Sequence, residues 1–486
     1  MSPQSSRVVV RDAGEKVVHD EVLKVTDELL RVWQSGTMER YHILLGELGF
    51  DSCVAIAGRF TTASGESLKK EVLYPALEAM IQQHAALGVQ IAIGATRANT
   101  PQFVRLPDID LDVVVEIIRD SQDTVDELLR SQLGKPFAFG TSAPLWRVAV
   151  VNGSIVVFAF HHVIADGQSG PALLALLQAA LNNVDAQASD GGSTKVPVPP
   201  TLPLAGPPEA YTDISLSWST LFSELYKLVV PKSLLPSTTA WTGSPIPSSP
   251  SLAMHVQCWS ISASQTTAIL ERCRENGTTF TAFLYTLLLG VLARVLQEQR
   301  PTEAVAYRTA NVAVPVSLRR LTGTPPLALC DQVSTVHFYA PLHTLSTDGA
   351  DFSWADARKF RDELHSSIPG ALELLGELRL LFRWNAAEGY FRGLLGKKRT
   401  SGLALSNLGR FPVQDLKPEA SRWTLSDVYF AQCDVVRGAA IKVNVVGSPE
   451  GTTSITFTWG ESALDLGFAQ SFIENVKATL GLMFDP

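Results

Sequence analysis

Two adjacent histidines, followed by an aspartate and a glycine at fixed spacing, are the residues best suited to chemistry in this 486-residue chain: His161-His162-Val163-Ile164-Ala165-Asp166-Gly167. An imidazole whose unperturbed pKa lies near working pH is a ready-made general base when a strand end holds it in place. Four specified residues at fixed spacing arise by chance in about one chain in a thousand of this length, so the setting must carry part of the weight.

That setting is a hairpin running into a helix. Residues 145–151 are β-rich, Asn152-Gly153 reads as a two-residue type I′ turn, and residues 154–160 return. The returning run is apolar on both faces, as in a central strand covered from both sides. Side chains alternate along a strand, so His161 and His162 point to opposite faces and hardly serve the same chemistry. Ser169 or Gly170 then caps a helix with Pro171 in its first turn and a leucine-rich body through Leu177. The motif therefore occupies a tight strand-to-helix connection.

His161-His162-x-x-x-Asp166-Gly167 resembles the signature of the CoA-dependent acyltransferase superfamily, which includes chloramphenicol acetyltransferase, the plant BAHD enzymes, nonribosomal condensation domains and fungal alcohol acetyltransferases. Downstream, Ala404-Leu405-Ser406-Asn407-Leu408-Gly409 is similar to the Ser-Asn-x-Gly strand of the condensation and alcohol acetyltransferase branches. Val314-Pro315-Val316-Ser317-Leu318-Arg319 resembles the segment carrying the arginine partner of the motif aspartate. Pro136-Phe137 and Pro144-Leu145-Trp146-Arg147 match the lead-in, and the likeness runs in order from Tyr41 to Trp459. The nearest branch is the alcohol acetyltransferases. The Asp-Phe-Gly-Trp-Gly motif of the plant enzymes is absent, so their substrates are not carried over.

The resemblance implies an α/β fold, an α+β sandwich of two chloramphenicol-acetyltransferase-like lobes forming a pseudo-dimer with a tunnel between them. It implies an acetyl-CoA co-substrate, no bound cofactor and no metal. His162 would face the tunnel, remove the proton of an acceptor alcohol and protonate the departing CoA sulfur, in a ternary complex without a covalent intermediate. Asp166 would form a buried ion pair with Arg319 and shape the loop, leaving backbone to fix the other imidazole nitrogen. His161 would pack on the opposite face. Arg147 is a rival partner for Asp166, but hairpin pairing sets it opposite Phe158, too far along the strand. Gly167 suits a backbone angle or a close approach that a Cβ would forbid.

Ser406, Asn407 and Gly409 are candidates for binding the acyl donor or its oxyanion, although Ser-Asn and Gly are equally at home in a turn. Ser334 and Thr335 are further oxyanion candidates. Lys397, Lys398 and Arg399 could meet the CoA phosphates or form a solvated surface run. Trp384 and Trp459 could line an acceptor channel or simply pack. His42, His337 and His343 show no partner at useful spacing.

Composition agrees with this picture. A hydrophobic content of 46% with 18% charged residues suits a protein with large cores. The formal charge of −8 argues against nucleic acid as main partner, since phosphate binding needs a positive field. Five scattered cysteines form no metal-binding pattern and suggest a reduced, intracellular protein without structural disulfides; the expected state is a cytoplasmic monomer. No secretory leader is evident, and the uncharged stretch between Glu275 and Arg294 is short for a transmembrane span. A Pro-, Gly- and Ser-rich region divides the chain into an N-terminal lobe (1–185), a crossover linker (186–250) and a C-terminal lobe (251–486). Two other readings fit the same residues: a condensation-like enzyme fed by a carrier-protein thioester, and a non-catalytic scaffold of the same fold.

Overall fold

The computed structural model describes residues 33–50, 53–92, 101–183, 194–218, 222, 226, 230–231, 235–412 and 422–484. The motif hairpin is present as Trp146–Val151 and Ile155–His161. Asn152 and Gly153 adopt the positive φ angles of 50° and 64° that an Asn-Gly turn favours. Ser154 nevertheless joins the loop, donating its N–H to the carbonyl of Val151 at 3.2 Å, and pairing resumes one residue late at Val151↔Ile155. The connection is thus three residues long rather than two. Arg147 consequently sits opposite Ala159 instead of Phe158, on the His161 face. There Gln132 Oε1 and the carbonyl of Lys135 accept its hydrogen bonds.

The histidine strand is the central member of a five-stranded sheet ordered Trp423–Gln432, Cys53–Thr62, Ile155–His161, Trp146–Val151, Val115–Ile118. Its Val156, Phe158 and Phe160 enter one core with the helices Lys70–Gln83 and Ser169–Asn183. Val157 and Ala159 pack on the other side with Val125–Leu133. That last helix starts at a capping box, in which Thr124 and Glu127 satisfy each other's free N–H groups. Both faces of the strand are covered, as its unbroken apolar run requires.

A larger sheet is built mainly from later residues, in the order Ala240–Trp241, Thr309–Ser317, Leu403–Asn407, Ile441–Gly447, Thr453–Gly460, Met254–Ile261. Val333–Pro341 also pairs with Thr309–Ser317. Its core is filled from the helices Phe280–Gln299 and Leu466–Phe484. Phe280–Gln299 is longer than the uncharged stretch suggested and is apolar enough to cross a membrane. However, 78% of its most apolar window lies buried inside the molecule. Trp459 belongs to this core, while Trp384 is exposed.

The lobes are not cut where the composition changes. Trp423–Gln432 falls within the segment assigned to the C-terminal lobe, yet it pairs antiparallel with Cys53–Thr62 and forms an edge of the N-terminal sheet. The crossover region is anchored at both ends, Lys195–Pro197 on Asp108–Asp110 and Ala240–Trp241 on Thr309–Ala310. Its residues 186–193 lie outside the described set.

Candidate active site

The histidine strand ends at the wall of a cavity of about 740 Å³ that both halves of the chain line. From the first helix, Thr37–Glu47, come Met38, Tyr41, His42 and Leu45, spaced so that they share one helical face. His162 stands beside them. The later half supplies Ala313, Thr335, Gln432 and Lys442.

His161 and His162 live in different surroundings, as alternation demands. His161 is fully buried, its Nδ1 accepts the N–H of Val163 at 3.1 Å, and the edges of Phe137 and Phe139 enclose the ring. Burial, aided by the charge of His162, drives its pKa down to about 3, so it stays neutral. A Cβ on Gly46 would come within 3.1 Å of its Nε2, which explains the glycine in that helix. His161 is therefore a packed wall residue.

His162 turns its Nδ1 to Oδ1 of Asp331 at 3.3 Å, within ion-pair range. Its ring lies parallel to that of His42 at 4.0 Å, and His42 Nε2 is 3.6 Å from the other Asp331 oxygen. The Asp331 side chain is wholly buried, and neither oxygen has an aligned hydrogen bond. Burial alone would lower the His162 pKa, but the Asp331 carboxylate outweighs it and raises the value above 6.5. His42 is displaced the other way, well down, by burial and by the neighbouring His162. Asp331 is itself raised, chiefly by burial. With Nδ1 turned to Asp331, Nε2 is the nitrogen left to face the cavity. The expected backbone support is not seen at Nδ1, which has no aligned hydrogen bond and faces Asp331 instead.

Asp166 does not touch His162's ring nitrogen. Its Oδ1 accepts from Arg319 at 2.7 Å and from the N–H and hydroxyl of Ser169 at 2.9 and 3.0 Å. Oδ2 accepts from Arg319 Nε and from the N–H of Gln332. Arg319 in turn donates to the carbonyls of Pro325, Pro326 and Ala328. The N–H of Asp166 donates to the carbonyl of Cys330 at 2.8 Å. Asp166 thereby grips the backbone on either side of Asp331, at Cys330 and at Gln332. The ion pair thus holds in place the carboxylate that faces His162. Gly167 permits close packing rather than an unusual angle: a Cβ there would meet Leu408 at 2.9 Å and Phe430 at 3.3 Å.

The remaining candidates sit elsewhere. Ser334 is buried and donates its hydroxyl to the carbonyl of Ala371 at 2.5 Å, so it is not free for an oxyanion, whereas Thr335 lines the cavity. Ser406 lies one layer behind the wall, accepting from Gln432 Nε2 at 3.1 Å. Asn407 closes a turn, its Oδ1 accepting the N–H of Gly409, whose φ of 77° needs glycine. Arg399 is neither a CoA ligand nor a solvated charge: it is buried and donates to the carbonyls of Ser244, Val435, Val436 and Gly438. Lys398 donates to the carbonyls of Ser237 and Thr238, leaving Lys397 exposed. His337 lines the cavity and contacts Asn311 and Ser401.

His42 and Asp331 escaped sequence reasoning. For His42 a signal existed in the Met38, Tyr41, His42, Leu45 stripe; Asp331, in a loop, offered none. His42, His162 and Asp331 are the only grouping of metal-ligating atoms among the described residues, all within 4.8 Å of one another. Parallel rings direct their nitrogens side by side rather than toward a common point, which suits a proton-handling group better than a tetrahedral ion.

Comparison with known proteins identifies the family. The family model for alcohol acetyltransferases matches residues 34–474. A probable alcohol acetyltransferase of Aspergillus fumigatus, crmB, is 25% identical over 475 residues, covering 89% of this chain and 96% of that one. Among solved structures, the trichothecene 15-O-acetyltransferase TRI3 of Fusarium sporotrichioides superposes with a TM-score of 0.66 at 12% identity, covering 93% and 95% of the two chains. The first condensation domain of the calcium-dependent antibiotic synthetase gives 0.60 at 16% identity, covering 94% and 97%. These likenesses in structure show a shared acyltransferase fold.

Proposed function

The chain belongs to the alcohol acetyltransferase family, and on that premise we propose that His162 is the general base of acetyl transfer from acetyl-CoA to the hydroxyl of a small, largely apolar alcohol, such as a terpenoid or other secondary metabolite. The acceptor hydroxyl approaches Nε2 from the cavity. As its oxygen attacks the thioester carbonyl, His162 takes its proton, the carbon–sulfur bond breaks, and the imidazolium returns that proton to the CoA thiolate. One group performs both transfers, so no acyl-enzyme is required. Asp331 favours the tautomer with hydrogen on Nδ1 and stabilises the imidazolium as it forms. The proposed enzyme works as a cytoplasmic monomer.

The observation that carries this reading is a histidine with one nitrogen held by a buried carboxylate and the other left for a cavity lined from both halves. His162→Ala should lower kcat for acetyl transfer by at least about a hundredfold, the lower end of a general base's contribution. Unchanged turnover would sink the mechanism. Calorimetric titration with acetyl-CoA checks the donor; absence of binding would point instead to a carrier-protein thioester.

A further inference from the structure

The cavity wall holds a second centre of charge besides His162. Arg437 lines it from the loop between Trp423–Gln432 and Ile441–Gly447. Its guanidinium carbon lies 5.1 Å from the ring centre of Tyr41 and 5.3 Å from that of Phe391. Among the described residues no hydrogen-bond acceptor or carboxylate pairs with this side chain, and its Nε is buried without a partner. Burial lowers its pKa to about 10, with no acidic group opposing the shift. The other lysine or arginine on the wall, Lys442, is already engaged by Asp434 at 3.0 Å. Glu373 and Glu377 reach the cavity from the helix Ala371–Arg383, but neither neutralises Arg437.

The loop is built to present this group. Arg399 donates to the carbonyls of Val435, Val436 and Gly438, clasping the residues on both sides of Arg437. A Cβ on Gly438 would lie 2.1 Å from the carbonyl of Asp434, so the tight turn requires glycine there. A half-buried guanidinium without an anionic partner is costly, and cation–π contacts with two rings return only part of that cost. The deficit disappears when a ligand supplies the missing anion.

We infer that Arg437 is the binding site for a carboxylate on the acceptor, making the acceptor a hydroxy acid with an apolar body. The inference rests on the acetyltransferase reading and adds the class of substrate. A single planar guanidinium matches one carboxylate through two parallel hydrogen bonds, whereas the several phosphate charges of CoA call for several cations. Position agrees. Steps of 4.0 Å from the His162 ring to that of His42, 5.0 Å from His42 to Tyr41 and 5.1 Å from Tyr41 to Arg437 link the two groups, so they lie no farther apart than one small molecule can reach. Met38, Leu45, Leu378 and Leu381 supply apolar wall for its body.

The test is binding, which needs no turnover. ω-Hydroxydecanoate, its methyl ester and decanol are titrated calorimetrically into the wild type, Arg437→Met and Arg437→Lys, with acetyl-CoA titrated in parallel. The wild type should bind the acid about thirtyfold or more tightly than the ester, as expected for a desolvated charge pair. Arg437→Met should abolish that preference, Arg437→Lys should retain part of it, and acetyl-CoA affinity should stay the same in all three. Equal binding of acid and ester, failure of the acid to bind, preference persisting in Arg437→Met, or weakened acetyl-CoA binding in that variant would each overturn the assignment. If the acetyltransferase reading itself fails, the failure appears in acetyl-CoA binding and in the His162→Ala assay, independently of the acid-versus-ester comparison.

Discussion

Two buried aspartates lie close together here in opposite condition. Asp166 spends both oxygens on Arg319, Ser169 and the N–H of Gln332. Asp331, held between Cys330 and Gln332, has no aligned hydrogen bond and faces two imidazoles. A fully satisfied buried ion pair has nothing left to offer a reaction and serves as a fastening. A carboxylate kept short of partners is unstable by itself, and it relaxes when its neighbour gains a proton. The difference separates structure from chemistry more reliably than membership of the motif does. Asp166 is in the motif and is fully paired; Asp331 is outside it and faces the proposed base.

Breaking the fastening should have the largest effect. Arg319→Met strands the Asp166 charge and should cost about 3–5 kcal/mol of stability, read as a lower midpoint in denaturant unfolding. Asp331→Asn tests the other side of the comparison. Measured above the raised His162 pKa, where the pair is no longer charged, it should leave the unfolding midpoint nearly intact while lowering kcat by about ten- to a hundredfold, less than the full contribution of the base. It should also move the pH profile. In the proposed mechanism the neutral imidazole is the active form, so wild-type activity should fall as pH drops through a His162 pKa raised above 6.5. Removing the carboxylate charge shifts that acid limb to lower pH. Stability follows the matching sign: what the pair adds to the fold is fully present below 6.5 and fades as pH rises through the raised value. A limb that does not move in Asp331→Asn would rule out direct coupling of the two groups. The smallest change belongs to His42→Phe. It keeps the stacked face and should alter kcat by about tenfold or less, the range of a single aromatic contact.

Much of this was legible in local sequence. The Asn-Gly turn, the apolar central strand and the helix after the motif follow from rules acting over a few residues. The Asp166–Arg319 pair was accessible through resemblance, because its members lie in recognisable segments. What stayed hidden depended on distance along the chain or on single-residue register. Asp331 meets His162 only because the loop before Val333–Pro341 is folded back by Asp166, and no periodicity announces a loop contact. One extra loop residue after Val151 moved Arg147 to the other face of its strand. The Lys397-Lys398-Arg399 run looked solvent-facing, but Arg399 found four carbonyl groups that needed a donor. A charged residue's fate depends on the acceptors around it, and those come from the whole fold.

The strand Trp423–Gln432 has a consequence in time as well as in space. It completes the five-stranded sheet by pairing with Cys53–Thr62, residues made far earlier during synthesis. Until it arrives, one edge of Cys53–Thr62 is open, with unpaired N–H and carbonyl groups of the kind that recruit foreign strands. The N-terminal sheet must therefore wait, partly formed, for nearly the whole chain to be made, and pairing over such a separation is intrinsically slow. The same late strand leads directly into the loop that carries Arg437, so closing the sheet and completing the cavity wall are one event.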